Sequence, residues 1–99
     1  MKNKLNSKKI INVLEENKDK IQKAGVKKIG LFGSYAKGKE KKNSDIDFLI
    51  EFESVDFDKY FFMLKLLEKL FQKKVDLVIE KDLKPELKYV KKEAEYVRI

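Results

Sequence analysis

The sequence predicts an α/β fold: a small three-stranded mixed sheet flanked by about four helices. Three observations predict it. Apolar residues recur at helical spacing in several separate stretches. Two short apolar runs, Val26 to Phe32 and Lys74 to Glu80, and one strictly alternating run, Ser44 to Phe52, fall between those stretches and read as strands. Helical and extended segments take turns along the chain, the order expected of α/β proteins. With 99 residues the chain suits one small core and no separate substrate-recognition domain, so residues 1–99 are expected to form a single domain.

Taken in order, Ser7 is the expected N-cap of a first helix, whose Ile10, Val13, Leu14, Ile21 and Ala24 recur at helical spacing. Gly25 ends it as the residue after the C-cap. The first strand, Val26 to Phe32, runs into a turn and short helix over Gly33 to Gly38, and Lys39 to Asn43 is a charged loop. In the second strand Ile46, Phe48, Ile50 and Phe52 share one face, and Asp45, Asp47, Leu49 and Glu51 share the other. Ser54 or Asp56 can cap a long helix with an apolar stripe of Phe57, Tyr60, Phe61, Leu64, Leu67 and Phe71. Phe62, Met63, Leu66 and Leu70 make a second side apolar. A domain this small can hardly bury both sides, so part of this helix is expected to dock a partner, the alternative being a central core helix. Pro85 suits the first turn of a final helix with Leu87, Val90, Ala94 and Val97 facing inward.

The chemistry concentrates between Gly33 and Asp47. Without a Cβ, Gly33 lets backbone approach a phosphate closely, and the amides of Ser34 and its successors at a helix start can donate to it, with the Ser34 hydroxyl as a further donor. Asp45 and Asp47 stand roughly 6–7 Å apart along the strand, at about 3.3 Å per residue, close enough to serve one pair of hard cations. Asp-x-Asp pairs also occur on ordinary solvated strand faces. Here two aspartates in a strongly apolar strand cost stability unless something pairs with them, which favours a site.

Composition narrows the choices. Cysteine and histidine are both absent, which excludes disulfides, thiolate zinc sites, Cys nucleophiles, His general bases and Ser/His/Asp triads. Any metal must be oxygen-ligated, meaning Mg²⁺ or Mn²⁺. No signal-peptide core and no membrane-length apolar run is present, so a cytoplasmic location and no membrane partner are expected. The net charge of +7 sits towards the ends: residues 1–28 carry nine lysines against three acids, and 29–80 are near neutral. That charge is better read as a solvated Lys/Glu-rich surface than as a nucleic-acid face.

Gly33-Ser34-Tyr35-Ala36-Lys37-Gly38 followed by Ser44-Asp45-Ile46-Asp47 resembles the signature of minimal nucleotidyltransferases, in the DNA polymerase β-like nucleotidyltransferase superfamily. The similarity runs over nearly the whole chain. It implies a third carboxylate on the next strand, for which Asp76 is the matching position, and it implies catalysis and metal binding by Asp45, Asp47 and Asp76. Gly33 and Ser34 would hold the nucleotide phosphates, with Lys37 as helper. Many relatives carry Arg where this chain has Lys37, and lysine offers a point charge without the bidentate fork. The resemblance further implies an antitoxin that transfers AMP from ATP to a hydroxyl, that of a tyrosine, on a HEPN-type ribonuclease toxin bound as a hetero-complex. The competing classes are a binding-only antitoxin with a vestigial site and a basic nucleic-acid-binding module. An intact set of three carboxylates with Gly-Ser disfavours the first, and the lack of Arg clusters and an aromatic stacking platform disfavours the second.

These positions also constrain topology. Gly33 follows the end of the first strand and Asp45 and Asp47 open the second, so the two must be antiparallel to meet. Asp76 opens the third, which should therefore run parallel to the second, through a right-handed crossover over the long helix.

Overall fold

The computed structural model describes residues 4–99. Asn6, rather than Ser7, caps the first helix, α1 (Ser7–Glu16). Its backbone is extended and its side-chain oxygen accepts from the Lys9 amide at 2.9 Å, whereas Ser7 is already helical. The helical run is interrupted at Asn17, whose side-chain amide donates to the Val13 carbonyl at 2.8 Å and competes with the backbone ladder. A second short helix, α2 (Lys18–Lys23), then continues to Gly25, which ends it at φ +88°.

Strand β1 (Val26–Phe32) leads into α3 (Gly33–Lys37), and β2 (Ile46–Phe52) into the long helix α4 (Phe57–Phe71). Of the two candidate caps for α4, Asp56 is the one used, accepting from the Lys59 amide at 2.8 Å. After β3 (Val75–Ile79) come two single 3₁₀ turns (Glu80–Asp82 and Pro85–Leu87), the one-turn helix α5 (Val90–Glu93) and a last strand, β4 (Glu95–Arg98). β1 pairs antiparallel with β2, and β3 pairs parallel with β2, as the site positions require.

The C-terminus departs from expectation. The sheet has four strands in the order β3-β2-β1-β4, not three, and the helix expected from Pro85 does not form as such. Pro85 opens only a 3₁₀ turn, and Glu95 to Arg98 pair antiparallel with β1. The physical reason is the open edge of β1, whose backbone groups β4 satisfies, combined with the strand-favouring Tyr96-Val97 pair. Val97 thereby reaches the core.

One face of the sheet carries that core. Ile29, Leu31, Ile46, Phe48 and Ile50 pack fully buried against Ile10 and Leu14 of α1, Ile21 of α2, and Met63 and Leu67 of α4. The expected stripe of α4 is shifted accordingly: Met63 lies in the core, while Phe57 and Phe61 face out with Phe62, at 75%, 44% and 54% exposure. The opposite face holds the aspartates. Leu49 is nevertheless fully buried there, and Val90 of α5 nearly so.

Candidate active site

β1 hands over to α3 at Gly33, which adopts φ +76°, a left-handed conformation that costs a residue with a Cβ about 1–2 kcal/mol. Close approach demands glycine here as well. A Cβ on Gly33 would strike Asp47 Oδ2 and lie 2.9 Å from its Cγ. The Asp47 carboxylate thus rests against the α-carbon of the turn. α3 closes at Gly38, φ +70°, with the Lys39 amide donating to the Ser34 carbonyl at 2.9 Å.

Strand register aligns the acids. Phe32 of β1 stands opposite Asp47 of β2, and Asp47 stands opposite Asp76 of β3, so one line of side chains crosses three strands on one face. Asp45 lies one residue ahead of β2 and is exposed. The structure therefore places the two carboxylates of the Asp-x-Asp pair differently, Asp47 in the strand and half-buried, Asp45 at the loop end. Burial pushes the Asp47 carboxyl up to about 6, helped by the negative charges of Asp76 and Asp45. The same Asp76 charge, after burial, raises the Tyr60 hydroxyl, which donates to the Leu77 carbonyl at 2.6 Å.

Lys37 sits at the end of α3 with its ammonium 3.7 Å from Glu93 Oε1 of α5. Both line a groove of about 510 Å³, together with Gly33, Asp76, Tyr89 and Val90. Ser34, Asp45 and Asp47 are not part of that lining. The wall formed by Tyr89, Val90 and Glu93 was not readable as part of a site, because 3₁₀ turns and a single helical turn carry no periodic signal. The only cue was the Lys/Glu-rich stretch around Pro85.

The donor set suits a hard divalent cation: oxygen ligands alone, with two carboxylates in register whose mutual repulsion such a cation would relieve. Among the described residues no three acidic side chains are gathered closely enough to hold a metal ion as they stand. The site therefore offers two aligned carboxylates, Asp47 and Asp76, with Asp45 on the adjoining loop.

Comparison with known proteins identifies the family. Residues 8–99 match the nucleotidyltransferase domain family. The protein adenylyltransferase MntA of Thermococcus cleftensis is 37% identical over 91 residues, which is 89% of this chain and 92% of that protein. A solved structure assigned as a minimal nucleotidyltransferase superposes with a TM-score of 0.80 at 27% identity, covering 95% of this chain and 98% of the other. A solved toxin–antitoxin complex with AMP-PNP gives a TM-score of 0.65 at 28% identity, over 93% of this chain and 72% of that one. No helix among the described residues is long and apolar enough to cross a membrane. With a family match over residues 8–99 and a relative 37% identical over nearly its whole length, this chain belongs to the nucleotidyltransferase domain family.

Proposed function

We propose that this chain is a protein adenylyltransferase antitoxin that transfers AMP from ATP to a hydroxyl, that of a tyrosine, on a HEPN-type ribonuclease toxin with which it forms a hetero-complex. The observation that carries this reading is the Phe32–Asp47–Asp76 line across three strands with Gly33 packed against Asp47. In support, a relative alike over nearly its whole length is named as a protein adenylyltransferase, and a structural neighbour is a toxin–antitoxin complex with AMP-PNP.

In this reading the acceptor oxygen attacks the α-phosphorus of ATP. The bond from that phosphorus to the α,β-bridging oxygen breaks, pyrophosphate leaves, and the hydroxyl proton passes to Asp76. Mg²⁺, or Mn²⁺ in its place, supplies charge neutralisation on the phosphates when bound, held by Asp45, Asp47 and Asp76. Gly33 and Ser34 present backbone amides to the β and γ phosphates, and Lys37 contributes a point charge from the groove wall. Burial and the neighbouring carboxylates raise Asp47 to about 6, so below that pH binding of the cation would be accompanied by proton release from Asp47.

The test is intact-mass spectrometry of the toxin after incubation with ATP, Mg²⁺ and either wild type or Asp45→Asn/Asp47→Asn. Wild type should add the mass of AMP, and neither the variant nor a chelated sample should. A toxin silenced equally by both proteins with no added mass would replace this reading with a binding-only antitoxin.

A further inference from the structure

A second groove, of about 450 Å³, opens at the other side of β3, between that strand and the start of α4. Its apolar lining comes from Val55, Phe57, Tyr60, Leu77 and Ile79. Phe57 is 75% exposed and stacks edge-on against Phe61, ring centroids 4.8 Å apart, so the apolar surface continues outward along the helix. Two acids, Asp56 and Asp82, line the groove. Asp56 caps α4 and lies 4.0 Å from the Lys59 ammonium, which leaves Asp82, among the described residues, as the unpaired charge at the rim.

Position relative to the transfer site narrows the occupant further. β3 is the edge strand of the sheet, so a ligand lying along it reaches both faces. Leu77, in the apolar groove, is the chain neighbour of Asp76, which lines the first groove, and Asp82 lines both. The two grooves thus meet at Asp82, beyond the end of the free edge strand. One has glycine and lysine for phosphates. The other has aromatic and aliphatic surface with an acidic rim, the chemistry that receives an apolar side chain flanked by positive charge.

Resting on the proposed transfer reaction, we propose that this edge groove is the docking site of the acceptor protein: it takes an aliphatic or aromatic anchor from a positively charged segment of the toxin, whose hydroxyl-bearing residue then lies at Asp76. Phe57 forms the exposed wall of the anchor pocket, over buried Leu77, and Asp82 faces the positive charge. Docking and transfer are therefore separable at Phe57, which lines only the second groove: its loss weakens capture of the toxin and leaves nucleotide binding untouched.

The experiment is calorimetric titration of the HEPN-type toxin into wild type, Phe57→Glu and Asp82→Asn, with AMP-PNP titration of each protein as a control. Phe57→Glu is at an exposed position and should keep its Tm and its AMP-PNP affinity, while its Kd for the toxin rises at least tenfold. Added salt should weaken the wild-type complex more than the Asp82→Asn complex. Toxin affinity equal in wild type and Phe57→Glu, or no toxin binding by wild type, overturns the groove. A lone protein that sediments as a dimer and becomes monomeric on Phe57→Glu would also overturn it, assigning the surface to a second copy of the chain. If wild type binds the toxin through the groove but transfers nothing to it, docking stands and the transfer reading falls.

Discussion

The carboxylate of Asp47 occupies the space that a side chain at Gly33 would need: a Cβ there would collide with Oδ2 and stand 2.9 Å from Cγ. The glycine serves the acid first. Reading Gly33 only as a platform for phosphate places the consequence of a substitution on the nucleotide, whereas the structure places it on Asp47.

Gly33→Ala should therefore lower both stability and transfer. The positive φ alone costs about 1 kcal/mol for an alanine, and the contact with Asp47 adds to it. Chemical denaturation should show a total loss of about 1–3 kcal/mol, and transfer should fall at least tenfold, because the displaced carboxylate no longer lines up with Asp76. The double variant Gly33→Ala/Asp47→Ala separates the two causes. It should recover the part of the stability lost to the contact and keep the part due to φ; a double variant as unstable as the single one would show that the contact contributes nothing.

Asp47 also carries a pH dependence whose sign is fixed. Its carboxyl titrates near 6 in the folded protein, above its ordinary 3.8. The folded state then binds more protons than the unfolded one between those values, so stability falls as pH rises through that window. Above about pH 6 the full penalty is present, and below about pH 4 it is gone. Asp47 is half-buried, and with solvent screening the penalty is on the order of 1 kcal/mol. In chelator, Asp47→Asn should melt higher than wild type at pH 7.5 and equally at pH 4, with transfer abolished when Mg²⁺ is restored. A variant that melts lower than wild type at pH 7.5 would remove the repulsion argument.

Why the site was readable and the C-terminus was not follows from the range of the interactions involved. Gly33, Asp45 and Asp47 lie within fifteen residues, and period-two alternation alone puts the Asp side chains on one face, so strand direction followed from the need for them to meet. Asp76 needed the resemblance to single it out. The fourth strand depends on a contact between distant residues: Tyr96 lies over Gly30, where a Cβ would come 2.7 Å from the ring. The Tyr96 hydroxyl also donates to Glu80 at 3.1 Å, and the Lys28 ammonium sits 4.6 Å from the ring centroid. Local spacing of Leu87, Val90, Ala94 and Val97 fits a helix equally well, and only the open edge of β1 decides against it. In α4 the apolar surplus was legible, but which side would be buried was set by the sheet beneath, which took Met63 and left Phe57 out.

The Lys37–Glu93 pair on the wall of the first groove yields the last prediction. Lys37 and Glu93 are 3.7 Å apart and both about half exposed, at 52% and 47% of the side chain. In the proposed reaction an incoming triphosphate would compete with Glu93 for the same ammonium. An exposed pair of this kind is worth about 0.2–1 kcal/mol, so its removal frees Lys37 at little structural cost. Glu93→Gln should bind AMP-PNP up to about fivefold more tightly than wild type, the fold-change equivalent to about 1 kcal/mol. The gain should shrink in high salt, as expected of exposed charges. In a Lys37→Gln background the same Glu93→Gln change should have no effect on affinity. Titration calorimetry on the four proteins closes the cycle, and an equal gain with and without Lys37 would place the influence of Glu93 on general charge rather than on this pair.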